Sequence, residues 1–181
     1  LMGIGPEVTA RALAELDGSV EVELLGDGEV IVQSLAHAGV QAPVVDTRGG
    51  HEPAPVAAIR LAALRCERGE AAAMVTGPIH KGRLIAAGFE HRGHTDMLGS
   101  IFGVDPVMAF AGGSVRVALV TTHVELSKVP NQITAERVRR VVELAASGLQ
   151  TGLGIADPRL ALCGLNPHAG EGGELGRTEV D

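Results

Sequence analysis

Short apolar segments alternate along the chain with longer segments of helical periodicity, and this alternation most constrains the fold. Each apolar segment is bounded by Gly, Pro or Asp, as buried strands are. The predicted strands cover residues 20–25, 71–77, 106–111, 115–122 and 159–165. The predicted helices cover residues 6–16, 29–39, 55–69 and 134–150, with a short helix at 81–88. Strands that alternate with helices predict an α/β fold with a mainly parallel sheet.

Local signals refine this prediction at four places. Pro6 is suited to a helix start, and Gly39 to the position just past a helix end. Segment 134–150 carries apolar residues at the i, i+3, i+4, i+7 spacing of one helix face, opposite charged residues. Segments 106–111 and 115–122 are joined by Gly-Gly-Ser, which predicts an antiparallel hairpin.

The domain organisation is less strongly marked. The sequence has no internal repeat, low-complexity segment or flexible linker. We place a domain boundary near Gly88, which gives a first α/β domain over residues 1–88 and a second over residues 89–181. Because the chain opens inside a loop and stops where another helix begins, we expect it to be part of a longer protein.

Composition excludes several classes of protein. The chain has 181 residues and a formal net charge of −7, without a cluster of Lys and Arg, so we expect no nucleic-acid partner. It has neither a signal-peptide pattern nor an apolar run of about 18 residues, so we expect no membrane span. Its two cysteines are isolated, which argues against disulfides and a thiolate zinc site. These features predict a cytoplasmic protein.

Polar loops follow the predicted strands, where α/β folds place their chemistry. The candidate residues in these loops are Lys81, His91, His94, Thr95, Asp96, His123 and His168. Each has a structural alternative, because a lone histidine is more often a surface or hydrogen-bonded residue than a metal ligand. The glycines of "GIGPE" lack the later residues of a phosphate-binding fingerprint. Pattern alone therefore leaves an α/β protein with a polar, histidine-containing cleft.

Several motifs in register carry the interpretation further. They are "GIGPE", "VTGPIHK", "GHTDML", "VALVTTH" and "CGLNPHAGEGGELGRTEVD", in this order from one end of the chain to the other. Together they resemble the 4-hydroxythreonine-4-phosphate dehydrogenase family of vitamin B6 biosynthesis. The chain has "LM" where that family has a "GDP"-type lead, and it covers about half to three-fifths of a typical member.

The resemblance implies a fold and a reaction. The fold is isopropylmalate-dehydrogenase-like α/β/α with two domains, assembled as a homodimer with its active site at the interface. Members oxidise the C3 alcohol of a small phosphorylated hydroxy acid, 4-phosphooxy-L-threonine, with NAD or NADP. The β-keto acid then loses CO2 to give 3-amino-2-oxopropyl phosphate.

The resemblance also implies roles for individual residues. His123 and His168 would be ligands of a divalent metal, Zn2+ or alternatively Mg2+ or Co2+, and the third histidine ligand would lie beyond Asp181. His94 and Thr95 would hold the substrate. Lys81 and Asn166 are candidates for an anion contact or for support of a ligand, and simple solvation is an equal alternative for Lys81.

Two other functions stay open. Relatives of this family oxidise 4-phospho-threonate or 4-phospho-erythronate with the same metal and nicotinamide chemistry, and the residues that distinguish these substrates are not identifiable. A chain without the third ligand could instead be a non-catalytic metal- or anion-binding fragment.

Overall fold

The computed structural model describes residues 3–16, 18, 20–86, 89–91 and 93–180. The chain divides into two compact units, residues 1–106 and 107–181. The boundary predicted near Gly88 falls within the first unit, and Gly88 itself is outside the described residues. The assignment of domains 1–88 and 89–181 therefore stays a prediction.

Helices and short strands make up both units, which confirms a mixed α/β fold. The first unit contains α1 (Gly5–Glu15), β1 (Leu24–Gly26), α2 (Gly28–Ala38), β2 (Val44–Asp46), α3 (Ala54–Glu67), α4 (Lys81–Ala86) and α5 (His94–Phe102). The second contains β3 (Ala109–Gly112), β4 (Val115–Ala118) and α6 (Ala135–Leu153), with 3₁₀ turns at Leu126–Lys128 and Pro130–Gln132 and a non-helical turn at Pro167–Gly173. Within the described residues, no helix is both long enough and apolar enough to span a membrane.

Local signals set several helix ends, and the predictions for Pro6 and Gly39 are confirmed. A proline lies in the first turn of α1. The Asp27 side chain accepts a hydrogen bond from the Val30 N–H at the start of α2, and Gly39 ends that helix in the left-handed region with φ 70°. Thr134 caps α6 in the same way, through the Arg137 N–H. Each cap satisfies a backbone donor that the first helical turn leaves without a partner.

The strands form two separate pairs. Strands β1 and β2 are parallel, and β3 and β4 form the predicted antiparallel hairpin. The prediction of strands at 71–77 and 159–165 is wrong, because neither segment is paired as a strand in the described residues. An apolar pattern favours extended backbone, but a strand also needs a neighbour to accept and donate its hydrogen bonds. Of the predicted parallel sheet, the described residues contain only the pair β1 and β2.

The core of the first unit consists of two apolar clusters. One packs α1 against α2 through Ala10, Ile31 and Leu35. The other joins α3, α4 and α5 through Val56, Ile59, Leu84, Phe89 and Met97. Met97 is fully buried, and it anchors the helix that begins at His94.

An ionic group lies at the carboxyl ends of β1 and β2. Arg48 Nη2 is 2.7 Å from Asp46 Oδ2, and Arg48 Nη1 is 3.0 Å from Glu29 Oε1. The Gly28 N–H also donates to Asp46 Oδ1 over 3.3 Å. The hydrogen bond from the Arg48 side chain holds the pKa of Asp46 well below its ordinary value. Asp46 thereby links the end of β2 to the first turn of α2.

Candidate functional site

Three candidate residues of the first unit, His94, Thr95 and Asp96, lie on α5, whereas the sequence predicts a loop there. His94 is the first residue of α5 and Thr95 the second. The helix forms because Met97, Leu98 and Ile101 contact the second apolar cluster, and Gly103 ends it with φ 63°. The prediction that His94, Thr95 and Asp96 lie in a loop is therefore wrong. Tertiary packing and not the polar composition decides the conformation there.

The two candidate substrate-binding side chains on α5 are partly shielded from solvent. His94 and Thr95 are half-buried, and the His94 Nε2 atom is buried. The backbone N–H groups of a helix's first turn point toward its N-terminus, where they and the helix dipole favour an anion. The start of α5 thus combines an imidazole, a hydroxyl and backbone donors.

A shallow, open depression lies along the exposed side of the same helix. Its lining includes His91, Asp96, Ser100 and Asp105. His91 Nδ1 is 3.6 Å from Asp96 Oδ2, and the His91 ring contacts Phe89 edge to face at a centroid distance of 5.3 Å. His94 and Thr95 are not part of this lining. His91 and Asp96 therefore belong to a surface feature beside the helix start.

Two of the glycine-containing motifs meet in the first unit. A Cβ on Gly5 would lie 3.4 Å from the Pro78 carbonyl oxygen, and one on Gly77 would lie 3.4 Å from the Gly5 Cα atom. The "GIGPE" and "TGP" segments therefore lie side by side, at a spacing where an added Cβ would make ordinary van der Waals contact. Lys81 begins α4 as expected, but its side chain is outside what the structure describes.

His123 lies beyond the hairpin of the second unit. The hairpin continues past β4, because the Leu119 N–H donates to the Met108 carbonyl over 2.9 Å. Arg137 of α6 then holds the next residue, with its Nε donating to the Val120 carbonyl over 2.7 Å. His123 itself is exposed and has φ 54°, in the left-handed region. The segment before this imidazole is thus fixed to both the hairpin and α6.

His168 begins a left-handed turn. Five successive residues, from His168 to Gly172, have positive φ between 44° and 78°. Three of them are not glycine: His168, Ala169 and Glu171. Left-handed backbone costs an L-residue about 1–2 kcal/mol, so surrounding contacts must hold the turn in this conformation. Such clustered strain is a feature of functional sites.

The contact that sequence reasoning missed is between Asn166 and Glu179. The Asn166 N–H donates to Glu179 Oε1 over 2.6 Å, and its Nδ2 donates to Oε2 over 2.8 Å. Both hydrogen bonds lower the pKa of Glu179, and the one from the backbone N–H has the larger effect. Glu179 lies 13 positions from Asn166, so no local pattern could have paired them.

The structure leaves the metal site as a prediction. No group of three or more His, Cys, Asp or Glu side chains suited to a metal ion occurs in the described part of the chain. His123 and His168 are both exposed and lie in the same unit. Two imidazoles are a donor set that suits Zn2+, which accepts three protein ligands at catalytic sites. The residues that are present fit part of such a site.

Comparisons with known proteins cover nearly the whole chain. Residues 8–181 match the model of the family described as pyridoxal phosphate biosynthetic protein PdxA. A 4-hydroxythreonine-4-phosphate dehydrogenase of Chromobacterium violaceum is 36% identical over 99% of this chain. The chain spans 63% of the length of that relative.

Two solved structures show the same architecture. A 4-hydroxythreonine-4-phosphate dehydrogenase from Burkholderia phymatum matches with a TM-score of 0.80 and 28% identity, over 98% of this chain and 63% of its own. A terephthalate 1,2-cis-dihydrodioldehydrogenase from Burkholderia xenovorans matches with a TM-score of 0.67 and 26% identity, over 99% of this chain and 63% of its own. With the family model matched from residue 8 to residue 181, the chain belongs to the PdxA family of pyridoxal phosphate biosynthetic proteins.

Proposed function

We propose that the complete protein is a 4-hydroxythreonine-4-phosphate dehydrogenase. It oxidises the C3 alcohol of 4-phosphooxy-L-threonine, with hydride transfer to NAD or NADP and release of a proton. The β-keto acid then loses CO2 and gives 3-amino-2-oxopropyl phosphate. The observation that carries this proposal is the 36% identity along 99% of the chain to a relative with that name.

His123 and His168 would hold a divalent metal ion, Zn2+ or alternatively Mg2+ or Co2+, together with a third histidine of the complete protein. Support comes from the donor type and from the placement of both imidazoles after well-held segments of one unit. When bound, the ion supplies Lewis acidity, which lowers the pKa of the substrate alcohol and stabilises the charge that develops during decarboxylation. Asn166 supports His168 through its contact with Glu179.

His94 and Thr95 bind the substrate at the start of α5. Their placement supports this role, because a helix N-terminus attracts an anionic group and the hydroxyl and imidazole add directed hydrogen bonds. Burial of the His94 Nε2 atom limits movement of the ring. Lys81, the first residue of α4, is a candidate for a further anion contact.

The same proposal includes the assembly. The complete protein has two domains of the isopropylmalate-dehydrogenase-like α/β/α type, and residues 1–88 and 89–181 contribute to one each. It is a cytoplasmic homodimer with the active site at the subunit interface. The TM-score of 0.80 to the Burkholderia phymatum enzyme supports a common architecture.

A second candidate function has a different substrate. The structural match to a terephthalate 1,2-cis-dihydrodioldehydrogenase favours oxidation of a cyclic diol without phosphate. The lower TM-score, 0.67 against 0.80, places it second. The phospho-threonate and phospho-erythronate activities remain alternatives for the same cleft.

One set of assays separates these candidates. The complete protein is supplied with divalent metal and NAD or NADP, and tested on 4-phosphooxy-L-threonine, 4-phospho-D-threonate, 4-phospho-D-erythronate and the terephthalate dihydrodiol. We expect the first to have the highest kcat/KM. A site that hydrogen-bonds the C2 amine can reject an analogue without it by as much as about 10⁴-fold. A clear preference for any substrate without that amine would overturn the assignment.

Histidine variants test the metal site separately. His123→Ala and His168→Ala should each lower both the bound zinc and kcat/KM. The matched control is His51→Ala, which removes an exposed imidazole from a loop of the first unit. Full zinc content in either ligand variant would contradict the metal site, whatever the substrate.

A further inference from the structure

The turn that carries His168 is strained along its whole length. Its five residues from His168 to Gly172 all have left-handed backbone, and three of them carry a Cβ atom. An isolated peptide would leave this conformation, because the left-handed form is unfavourable for L-residues. Something outside the turn must therefore hold it.

Glu179 makes the contacts that can do so. Each of its carboxylate oxygens accepts one hydrogen bond from Asn166, Oε1 from the backbone N–H at 2.6 Å and Oε2 from the side-chain amide at 2.8 Å. Hydrogen bonds to a charged carboxylate are among the stronger kinds in proteins. Asn166 comes two residues before His168, so this pair fixes the entry into the turn.

Two glycines bring the rest of the turn against the same pair. A Cβ on buried Gly170 would lie 2.5 Å from the Gly176 carbonyl oxygen and 3.2 Å from Glu179 Oε2. A Cβ on Gly176 would lie 2.5 Å from Asn166 Nδ2. The Leu175 N–H also donates to the Gly170 carbonyl over 3.0 Å. The turn is closed on itself around the Asn166 amide and the Glu179 carboxylate.

We propose that Glu179 is a positioning residue, which holds the left-handed turn so that His168 is presented as a metal ligand. This inference rests on the proposed function for the role of His168 and extends it to a residue outside the ligand set. Glu179 acts only through Asn166 and the turn. Partners that orient a metal ligand commonly contribute 10- to 100-fold, as an order of magnitude, to metal affinity.

The test compares variants of the complete protein by two measurements. Zinc affinity is measured by competition with a chromogenic chelator, and amide hydrogen exchange of residues 166–176 is measured on the metal-free protein. Glu179→Ala removes both acceptors. Glu174→Gln is the matched control, since it removes an exposed acidic charge from the same segment. His168→Ala is the reference for loss of the ligand itself.

A pair exchange guards against simple misfolding. Asn166→Asp places two carboxylates face to face and should weaken zinc binding. In the double variant Asn166→Asp with Glu179→Gln, the Gln amide can donate to the Asp carboxylate and accept from the backbone N–H at position 166. Both hydrogen bonds are then restored with their side-chain roles reversed. If Glu179 acted only through its size or its charge, the double variant would not recover zinc binding.

We expect Glu179→Ala to lower zinc affinity about 10- to 100-fold and to accelerate exchange in residues 166–176. The double variant should return to within about threefold of the wild type, and Glu174→Gln should match the wild type. Zinc affinity in Glu179→Ala equal to that of the control, while His168→Ala loses zinc, would overturn the proposal. If His168→Ala instead binds zinc normally, the proposed metal site is wrong. In that case the hydrogen-exchange measurement still tests Glu179, because unchanged amide exchange of residues 166–176 in Glu179→Ala would refute its positioning role.

Discussion

Replacement of Met97 by alanine tests whether the helix that carries His94 and Thr95 depends on the cluster beneath it. Met97 has 0% of its surface exposed and packs among Val56, Ile59, Leu84 and Phe89. The side chain therefore joins α5 to α3 and α4. No other part of α5 contributes a fully buried large side chain.

The expected loss of stability follows from the atoms removed. Met97→Ala deletes three buried side-chain atoms, each worth about 0.8 kcal/mol by analogy with a buried methylene. The cavity adds to this transfer term, because a close-packed interior relaxes only partly. We expect a decrease of about 3 kcal/mol in the free energy of unfolding, within the range of about 2–5 kcal/mol for such substitutions. Met97→Leu keeps most of the volume and should cost less than about 1.5 kcal/mol.

Urea unfolding followed by far-ultraviolet circular dichroism measures the effect. With a urea slope of about 1–3 kcal/mol/M, the midpoint of Met97→Ala should fall by about 1–3 M. Leu126→Ala is the control, since Leu126 is 83% exposed and its loss should change stability by at most about 0.5 kcal/mol. Equal midpoints for Met97→Ala and Leu126→Ala would refute the packing argument.

Three further predictions concern the substrate, the pH dependence and the strained turn. His94→Ala should raise KM or lower kcat/KM while zinc content stays at the wild-type level; loss of zinc would show that His94 has a different role. Because Arg48 lowers the folded-state pKa of Asp46 below its ordinary 3.8, their contact stabilises the fold above about pH 4 and is lost as the pH falls toward the lowered value. The stability lost between pH 7 and pH 3 should therefore be smaller in Asp46→Asn than in the wild type, and an equal loss would contradict this account. Gly170→Ala places a Cβ 2.5 Å from a backbone carbonyl oxygen, whereas the Cβ of Gly172→Ala meets nothing within 4 Å. Gly170→Ala should therefore reduce zinc affinity and thermal stability more than Gly172→Ala does. Equal effects in the two variants would argue against a close-packed turn.

The sequence indicated the roles of His123 and His168 but not the local structure around His94. A histidine after an apolar run is a weak signal, and only the motifs in register gave His123 and His168 their predicted roles. The position of His94 within a helix was missed, because its segment is rich in polar residues and Gly93 comes directly before it. Met97, Leu98 and Ile101 did carry the helical signal, but it becomes decisive only when the α3 and α4 side chains are present to receive them.

The unpaired segments illustrate the limit of the apolar pattern. Residues 71–77 and 159–165 have the composition of buried strands, yet neither is paired as a strand in the described part of the chain. Composition reports the preference of each residue for extended backbone, while a ladder depends on which segments come to lie side by side. The hairpin β3–β4 was predicted correctly because its two strands are neighbours in sequence.

Sequence alone determined the features that depend on contacts within one or two turns of the chain. The apolar stripe predicts a helix at 134–150, which is α6 with its C-terminal end three residues later, and places Val141 in the interior, because periodicity acts over four residues or fewer. Tertiary structure alone decided the left-handed turn at His168 and its contact with Glu179. That turn is unfavourable for the residues that form it, so its stability must come from groups that reach it only after the chain has folded.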